Sequence, residues 1–374
     1  MVTYAEAGVN LELGDDISKI FYNAAKQTWN NRKGKLGELI VPFDDFSGVR
    51  AIDVSQLPKG TLMNIGFDGV GTKMELAERT NNHRTIAYDL LAMVCDDAVV
   101  RGAEPILVGS ILDVNSLGNE RETYIEQVKQ LAQGYILAAK DANVAIVNGE
   151  VAELRNRVRG FGNFNYNWGA GVVWFANKDR LFTGNEIKEG DKIIGLKEDG
   201  FRSNGLSLFR KIMWDHYGSK WHEEQINGKN LAELALAPSK IYSATLVDMF
   251  GGYDLKVNPK AEVHGVAHIT GGGLPGKLKR VLKPSGFGAV IDDPFNPSEF
   301  MKYVQVMGNV SDKEAYKTWN MGQGMVVITP SPNDVMSVAK KRGIKSKQIG
   351  VITKQEGIFI SNKGAYSKQE MLGF

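Results

Sequence analysis

Three aspartates lie within one apolar segment that has helical periodicity. Asp89 and Asp96 are seven residues apart, nearly two helical turns, so they share a face, and Asp97 lies about 100° further round. Helix interiors disfavour aspartate, and like charges on one face repel each other, so acids in such a place need a counter-charge. A Mg²⁺ ion that bridges to a substrate phosphate is one candidate, because it prefers oxygen ligands. Ion pairs with Lys73 or Arg101 are the alternative.

A turn with several polar groups follows a predicted strand at residues 61–67. Its sequence, Asp68-Gly-Val-Gly-Thr-Lys73, is not a P-loop because the threonine precedes the lysine, and Met74 stands where a dinucleotide fingerprint has its third glycine. An acid, a hydroxyl, an ammonium group and permissive backbone at a strand end favour a ligand site, although such a turn can be purely structural. Glu150, behind a glycine at the end of another predicted strand, is a fourth carboxylate in a similar place.

The segment Gly200-Phe-Arg-Ser-Asn-Gly205 precedes a predicted helix and has the composition of an anion site. Ser203 or Asn204 can cap that helix, and the N–H groups at a helix start can hold an anion. Arg202 can add a planar, two-pronged partner for phosphate. An ordinary N-cap with a surface arginine is the alternative.

The segment His268-Ile-Thr-Gly-Gly-Gly273 combines a histidine with a run of glycines. The glycines Gly271, Gly272 and Gly273 lie between a predicted strand and a predicted helix, and they predict a nest of backbone N–H groups suited to an anion. His268 lies in the apolar strand itself. It is therefore either a hydrogen-bonded core residue or an acid–base group.

The composition of the whole chain argues against several functional classes. The 374 residues have a formal net charge of +2 with scattered basic residues, so we expect no nucleic-acid partner. No apolar run approaches the roughly 20 residues that span a bilayer, and the acidic N-terminal sequence does not have the pattern of a signal peptide. The one cysteine, Cys95, cannot form an intrachain disulfide, and its apolar neighbours predict a buried thiol. We therefore expect a cytoplasmic protein with no membrane partner.

Apolar periodicity predicts alternating helices and strands in both halves of the chain. Predicted helices cover residues 15–28, 86–100, 121–141 and 332–342 and start near 205 and 275; predicted strands cover 61–67, 106–112, 144–147, 170–176, 192–196, 265–270 and 324–329. Because the order lacks a regular βαβ rhythm, we expect an α+β fold rather than one parallel sheet. We expect two mixed α/β-layer domains, at residues 1–178 and 179–374.

Eight segments occur in a characteristic order between about residues 3 and 353. They are Tyr4-Ala-Glu-Ala-Gly-Val9, Asp68-Gly-Val-Gly-Thr-Lys73, Asp97-Ala-Val-Val-Arg-Gly-Ala-Glu-Pro105, Gly149-Glu-Val-Ala-Glu153, Ser203-Asn-Gly205, Leu236-Ala-Pro-Ser-Lys-Ile-Tyr242, Ala267-His-Ile-Thr-Gly-Gly-Gly273 and Gly308-Asn-Val310. Through them the chain resembles the phosphoribosylformylglycinamidine cyclo-ligases, the aminoimidazole ribonucleotide synthetases of purine biosynthesis. The motif that begins at Asp68 recurs in related enzymes, whereas the ordered set is specific to this family.

The resemblance implies an ATP-dependent ligase that acts on a small-molecule ribonucleotide, with ATP and Mg²⁺ as cofactors. Formylglycinamidine ribonucleotide and ATP would give aminoimidazole ribonucleotide, ADP and phosphate. ATP phosphorylates the formamide oxygen, and the neighbouring amidine nitrogen attacks the activated carbon and closes the five-membered ring. The protein would align the two ligands and neutralise phosphate charge, without a protein nucleophile.

The resemblance also implies roles for individual residues and an assembly. Candidate magnesium ligands are Asp68, Asp89, Asp97 and Glu150; candidate ATP contacts are Asp68, Gly69, Gly71, Thr72 and Lys73. Candidate ribotide contacts are Arg202, Ser203, Asn204, Gly271, Gly272 and Gly273; candidate catalytic residues are His268 and Lys73. The N-terminal domain would bind ATP and magnesium, and the C-terminal domain would contribute the ribotide phosphate site. The chain would form a homodimer whose first domains pair strands into a shared barrel.

The sequence departs from the family pattern at several positions. Arg202 stands where the family usually has histidine, and arginine cannot act as an acid or base near neutral pH. Asp96 replaces a usual asparagine and adds a charge beside the other acids. An Arg-, Asn- and aromatic-rich segment occupies residues 155–168, and the N-terminal nucleotide loop is reduced to Gly34-Lys-Leu-Gly37 and Phe46-Ser-Gly48.

Two other functions remain open from the sequence alone. One is another ATP-dependent enzyme of the same superfamily, such as a thiamine-phosphate kinase or a selenophosphate synthetase. The other is a ligand-binding paralogue without activity. The second is disfavoured because the four candidate magnesium ligands are all present.

Overall fold

The computed structural model describes residues 11–42, 50–119, 122–367 and 369–374. The motif at residues 4–9, the loop segment at 46–48 and the first residue of the helix expected at 121–141 lie outside the described residues. The chain forms two compact units. The first consists of the described residues up to Leu57, Met63–Cys95 and Pro105–Trp174; the second consists of Pro58–Leu62, Asp96–Glu104 and Phe175–Phe374. The domain boundary expected after residue 178 stays a prediction.

The first part of the chain contains four helices and six strands among the described residues. In chain order they are α1 (Leu11–Thr28), β1 (Leu39–Pro42), β2 (Arg50–Ile52), β3 (Thr61–Gly69), α2 (Met74–Thr80), α3 (Ile86–Val99), β4 (Glu104–Val114), α4 (Ile125–Ala142), β5 (Ala145–Glu153) and β6 (Tyr166–Asn177). Strands β3, β6, β4 and β5 form one sheet in that order, with β4 and β5 parallel. The helices and strands expected here are present, although the structure extends several of them.

The core of the first unit forms between this sheet and its helices. Helix α1 packs against α4 and β5 and buries Ile17 completely. Apolar residues of β4, such as Val108, and of α4, such as Leu131, have no exposed surface. Cys95 is a buried free thiol, as its apolar neighbours predict. None of the helices in the described parts of the chain is long and apolar enough to span a membrane.

The second unit is built around a seven-stranded mixed sheet. Its elements are β7 (Lys192–Lys197), α5 (Leu206–Tyr217), β8 (Gln225–Ile226), β9 (Lys229–Asn230), α6 (Leu231–Ala235), α7 (Ser243–Phe250), β10 (Gly265–His268), α8 (Gly273–Leu282), β11 (Gly288–Ile291), α9 (Glu299–Met307), α10 (Asp312–Thr318), β12 (Gln323–Thr329), α11 (Pro332–Lys341), β13 (Ser346–Thr353), β14 (Ile358–Ser361) and β15 (Met371–Gly373). The strand order is β10-β12-β7-β13-β11-β14-β15. Only β11 and β14 pair in parallel here, so the fold is mixed, as expected.

The core of the second unit lies between one face of this sheet and helices α7 and α11. Strands β7 and β12 contribute Ile194 and Val327, and the helices contribute Leu246 and Val335, all without exposed surface. The central strand β12 is buried along its whole length, which explains why its sequence is a continuous apolar run rather than an alternating one. This core fixes the ends of β7 and β10, and the candidate ribotide residues follow these two strands.

The unusual segment at residues 155–168 is held in place within the first unit by the half-buried carboxylate of Glu78. Glu78 on α2 accepts hydrogen bonds from the backbone N–H groups of Phe161, at 2.8 Å, and Tyr166, at 3.4 Å. Burial raises the pKa of Glu78 to about 7, although the two backbone hydrogen bonds act in the opposite direction. The guanidinium carbon of Arg79 lies 4.2 Å from the centre of the Phe161 ring. Helix α2 therefore anchors this segment.

Glu78 should make stability depend on pH. Because its pKa is raised in the folded protein, folding favours the protonated acid, so its contribution is complete below about pH 4.5 and is lost as pH rises through about 7. Relative to Glu78→Gln, the wild type should lose roughly 2–3 kcal/mol of unfolding free energy across this range, measured by urea denaturation. Glu126→Gln, at an exposed carboxylate of the same unit, should keep the wild-type pH dependence. Parallel curves for wild type and Glu78→Gln would contradict the assignment.

Candidate active site

Two of the predicted magnesium ligands line one cavity of the first unit. The cavity has a volume of about 860 Å³ and lies along one face of the sheet formed by β3, β4, β5 and β6. Asp68, at the end of β3, and Glu150, on β5, are both exposed and both line it, together with Gly69. Gly71 and Thr72 are exposed in the turn that follows. The structure therefore brings Asp68 and Glu150 to one cavity.

Lys73 and Asp89 form a buried ion pair in the same unit. The ammonium nitrogen of Lys73 lies 2.7 Å from Oδ1 of Asp89, and neither side chain has exposed surface. The ion pair with Lys73 that the sequence left open for these acids is thus present at Asp89. The roles of Lys73 as an ATP contact and a catalytic residue, and of Asp89 as a metal ligand, stay predictions that this burial argues against.

The donor set suits magnesium only in part. Among the described residues, no group of three or more His, Cys, Asp and Glu is arranged to hold a metal ion. The four predicted acids therefore do not form one cluster of metal ligands. However, magnesium usually takes only one or two carboxylates and completes its six oxygen ligands from phosphates and water. Asp68 and Glu150 are two exposed residues in the lining of one cavity, which is the number of acids that such a site needs.

The same sheet face exposes large apolar side chains. Met63, Ile65 and Phe67 alternate along β3 and therefore share one face, and they are 63%, 48% and 75% exposed. Ile111 on β4 is 56% exposed. Ile65, Phe67 and Ile111 line the cavity described above. An apolar face of this kind on a sheet is typical of a surface that is covered by another protein or a ligand.

Two glycine-containing turns lie side by side in the second unit. A Cβ atom at Gly271 would lie 3.6 Å from Oδ1 of Asn204, so the turn before α8 touches the turn before α5. Gly272 and Gly205 are the N-cap residues of these helices, both have positive φ, and no side chain caps either helix. The prediction that Ser203 or Asn204 caps α5 is therefore wrong, because the N-cap residue is Gly205, which has no side chain. Uncapped helix starts leave N–H groups for an anion.

The hydroxyl group of Ser203 is a second indication that these turns bind a ligand. Its hydroxyl oxygen is buried and has no hydrogen-bond partner among the described residues. Buried hydroxyl groups are nearly always hydrogen-bonded, so such an atom suggests a missing ligand or water. Ser203 directly precedes Asn204 in the turn that contacts Gly271. The structure thus brings the turn with Ser203 and Asn204 next to the Gly271–Gly273 turn, and their contact with a ribotide stays a prediction.

Helix α10 and the residue after it support both turns. A Cβ atom at Gly273 would overlap the backbone carbonyl of Tyr316, and one at Gly205 would overlap the ring of Trp319. The indole N–H of Trp319 also donates to the carbonyl of Gly205 at 3.2 Å. Only glycine fits these close approaches. Tyr316 and Trp319 had no signal in the sequence, because their contact with the turns depends on packing between distant segments.

Arg202 does not lie on the surface, contrary to the alternative considered from the sequence. Its side chain is 1% exposed, and its Nη1 and Nη2 atoms lie 2.9 Å from Oε2 of Glu198 and 3.0 Å from Oδ2 of Asp96. Burial acts against its charge, but the charges of Glu198 and Asp96 outweigh burial and raise the pKa of Arg202. The contact of Arg202 with substrate phosphate stays a prediction that this burial argues against.

Asp96 has a second function at the start of α7. Its Oδ1 atom accepts hydrogen bonds from the backbone N–H groups of Tyr242 and Ser243, both at 2.8 Å. A negative charge at a helix start is favourable because it faces the positive end of the helix dipole. Burial raises the pKa of Asp96, although Arg202, His268 and the Tyr242 N–H group act in the opposite direction. The sequence offered no signal for this contact, because 146 positions separate Asp96 from Tyr242.

His268 and Asp97 form a pair at the end of β10. Nδ1 of His268 lies 2.6 Å from Oδ1 of Asp97, and the side chains are 2% and 55% exposed. Burial acts to raise the pKa of Asp97, but the hydrogen bond from His268 and the nearby cations Lys277 and Arg202 lower it below its ordinary value. Asp97 therefore stays ionised near neutral pH. Its role as a metal ligand and the catalytic role of His268 stay predictions.

Comparisons with known proteins define the class. Residues 50–167 match the N-terminal domain, and residues 188–362 the C-terminal domain, of AIR synthase related proteins. Two solved structures share the fold: the hydrogenase maturation protein HypE of E. coli, with a TM-score of 0.60, 15% identity and 95% coverage of both chains, and thiamine-monophosphate kinase from Stenotrophomonas maltophilia K279a, with a TM-score of 0.57, 12% identity and 92% and 97% coverage. The chain is thus an AIR synthase related protein.

Curated relatives define the family within this class. The phosphoribosylformylglycinamidine cyclo-ligase of Methanocaldococcus jannaschii is 34% identical over 94% of this chain and 92% of its own length. The proteins of the same name from Picosynechococcus sp. and Pyrococcus furiosus are both 33% identical, over 95% and 97% of this chain and 98% and 99% of their own lengths. The chain belongs to the phosphoribosylformylglycinamidine cyclo-ligase family, which confirms the resemblance.

The fit of the turn before α8 can be tested by adding one methyl group. Gly273→Ala should lower the unfolding free energy by about 1–3 kcal/mol, because φ is +60° and the methyl group would overlap the Tyr316 carbonyl. Gly276→Ala, three residues later in α8, meets nothing within 4 Å and should be neutral or stabilising by up to about 1 kcal/mol. Urea denaturation measures both changes. Equal effects of the two substitutions would refute the described packing.

Proposed function

We propose that this protein converts formylglycinamidine ribonucleotide and ATP to aminoimidazole ribonucleotide, ADP and phosphate. The observation that carries the proposal is the pair of adjacent, uncapped glycine turns before α5 and α8, in a chain related to cyclo-ligases over nearly its whole length. The reaction uses two phosphorylated ligands that must be held next to each other, so it requires such a site for the ribotide phosphate in addition to a site for ATP.

The ribotide phosphate binds at the two turns of the second unit. The backbone N–H groups at the starts of α5 and α8 face an anion from two sides, and their helix dipoles favour negative charge there. The buried hydroxyl of Ser203 and the amide of Asn204 supply further donors. Glycine at positions 205 and 273 allows Trp319 and Tyr316 to pack directly against the backbone of the two turns.

The triphosphate of ATP binds beside Asp68 and Glu150 in the first unit, with Gly69, Gly71 and Thr72 in the adjoining turn. A magnesium ion held by the two carboxylates would neutralise phosphate charge. Lys73 has a different role from the one expected, because its ammonium group is enclosed against Asp89. We assign this pair to the stability of the turn rather than to contact with phosphate.

The chain's residues bind and orient the ligands, and the reaction needs no protein nucleophile. The formamide oxygen of the ribotide takes the γ-phosphoryl group of ATP, which makes that oxygen a good leaving group. The amidine nitrogen then attacks the formamide carbon that carries this oxygen. The ring closes, and the oxygen leaves as part of phosphate. Alignment of the two ligands and preorganised donors for phosphate oxygens supply the rate enhancement.

The active protein is a cytoplasmic homodimer. The exposed apolar row Met63, Ile65 and Phe67, together with Ile111, gives each protomer a sheet face that a second copy can cover. Strands of the two first units would then enclose this face in a shared barrel. This arrangement removes apolar surface from water in both copies and places the cavity with Asp68 and Glu150 beside the contact between them.

Purified protein should form ADP and the aminoimidazole product from ATP, Mg²⁺ and formylglycinamidine ribonucleotide. Asp68→Asn should lower kcat/KM about 100-fold or more, the range for loss of a group that offsets developing charge, and should leave the unfolding transition unchanged. Asp16→Asn, at an exposed acid of α1, should retain wild-type activity. No product from the wild type would refute the function, and full activity of Asp68→Asn would remove this residue from the site.

The homodimer can be tested by adding a charge to the apolar face. Each chain has a mass of 41.1 kDa, so sedimentation equilibrium should give twice this value for the wild type. Phe67→Lys should weaken association at least about tenfold, because it places a charge in the apolar contact. Leu137→Lys, at a residue of α4 that is 48% exposed, should leave the dimer intact. A wild type that sediments as a monomer, or a Phe67→Lys variant with unchanged association, would contradict the proposal.

A further inference from the structure

A line of hydrogen-bonded side chains runs from the interior of the second unit to its surface. Nη2 of Arg202 lies 2.8 Å from Nε2 of His268, and Nδ1 of His268 lies 2.6 Å from Oδ1 of Asp97. The side chains of Arg202 and His268 are 1% and 2% exposed, whereas that of Asp97 is 55% exposed. Arg202 is therefore the interior end of this line, and Asp97 is the end that reaches solvent.

The chemistry of the three groups fixes the direction of each hydrogen bond. A guanidinium group has only N–H donors and stays protonated near neutral pH. Nε2 of His268 must therefore accept the bond from Arg202, and the proton of the neutral ring lies on Nδ1. Nδ1–H then donates to Asp97. A doubly protonated ring would instead place two donors 2.8 Å apart.

Arg202 is itself held in one orientation. Its Nη1 atom donates to Oε2 of Glu198 at 2.9 Å and to the carbonyl of Lys240 at 2.8 Å, and its Nη2 atom donates to Oδ2 of Asp96 at 3.0 Å. Its guanidinium carbon lies 5.3 Å from the centre of the Tyr242 ring. Its backbone has a φ of +61°, a conformation that non-glycine residues keep only where the surroundings enforce it. The donor aimed at His268 is therefore preorganised.

We propose that Arg202 is a positioning residue that, by donating to Nε2, holds His268 as the Nδ1–H tautomer together with Asp97, so that His268 orients the Asp97 carboxylate toward a bound ligand. Oδ1 of Asp97 is committed to His268, and the other oxygen, Oδ2, remains as an acceptor at the surface. Lysine could not replace Arg202, because a single ammonium group lacks the planar fork that reaches Glu198, Asp96 and His268 together.

This assignment changes the role of His268. Both ring nitrogens have protein partners and the side chain is enclosed, so the imidazole has no position from which to take a proton from a ligand. Asp97 is the group that meets the ligand. Under the proposed function, on which this step rests, the matching ligand group is the amidine of the ribotide, which carries N–H donors for a carboxylate oxygen.

The tautomer can be measured directly by NMR on protein with ¹⁵N-labelled histidine rings at neutral pH. Protonated and unprotonated ring nitrogens have well-separated shifts, and the signals lost in His268→Gln identify His268 among the five histidines. We expect a protonated Nδ1 and an unprotonated Nε2. A ring protonated at Nε2 would overturn the proposal.

A pair of variants tests whether Arg202 sets the tautomer. Asp96→Asn/Arg202→Met removes both charges of one ion pair, and the new amide oxygen can still accept from the N–H groups of Tyr242 and Ser243. Glu198 keeps backbone donors, so the fold should persist. We expect Nε2 of His268 to lose its donor and therefore its wild-type ¹⁵N shift in this double variant, while Nδ1–H still donates to Asp97. Glu198→Gln keeps the Arg202 donor and should keep the wild-type form.

His264, whose ring faces Asp191 and Glu262, supplies an internal check that the second unit is folded, because its signals should be identical in all variants. An unchanged Nε2 shift in the double variant, or a changed one in Glu198→Gln, would overturn the role of Arg202.

The kinetic consequence is measured on the same proteins. The double variant should lower kcat/KM for the ribotide about 10- to 100-fold, the range for loss of groups that orient a ligand-binding side chain. Unchanged kcat/KM together with a changed Nε2 shift would refute the orienting role. If the wild type closes no ring, the proposed function fails, yet the NMR result still decides whether Arg202 fixes the tautomer, so the two failures are distinguishable.

Discussion

The buried charge of Arg202 is the constraint on which the second unit's site depends. A cation with 1% exposure is tolerable only if carboxylates and carbonyls surround it, and here Asp96, Glu198 and the Lys240 carbonyl do so. Those partners come from α3, the end of β7 and the segment before α7. Satisfying one guanidinium group therefore fixes the relative positions of three distant segments, and His268 at the end of β10 makes a fourth. Removing one partner of such a group costs about 3–5 kcal/mol.

The two glycine-containing turns before α5 and α8 depend on a different constraint, which is close packing. Glycine at 205 and 273 is required because Trp319 and the Tyr316 carbonyl occupy the space of a side chain. Helix α10 is in turn tied to the C-terminal segment, since Asp312 accepts hydrogen bonds from the Asn362 amide and the Ser367 N–H group. The conformation of the turns is therefore set by their packing against Tyr316 and Trp319, which are held in place by the C-terminal segment. Ion pairs therefore hold Arg202 and its neighbours in place, whereas close packing holds the glycine turns.

Two departures from the family pattern have a single explanation in the structure. Asp96 and Arg202 look unrelated in the sequence, because 106 positions separate them, and each taken alone suggests a disturbance of the active site. In the fold they form one ion pair, so the added negative charge neutralises the added positive charge. The carboxylate of Asp96 also accepts hydrogen bonds from two backbone N–H groups at the start of α7. A neutral side-chain oxygen in the same place would accept them more weakly. Asp96 and Arg202 are therefore one buried interaction in this chain rather than two separate changes.

The sequence by itself determined the family, the mixed fold and the turns at Asp68, Ser203 and Gly271, because glycine placement, apolar periodicity and motif order are local properties of the chain. It could not determine which acids face a ligand. Asp89 and Asp68 have the same chemistry, yet Asp89 is buried against Lys73 while Asp68 lines a cavity. It also could not place Arg202 in the interior. Only the tertiary structure decides burial and partner choice, because these depend on contacts between segments far apart in the chain.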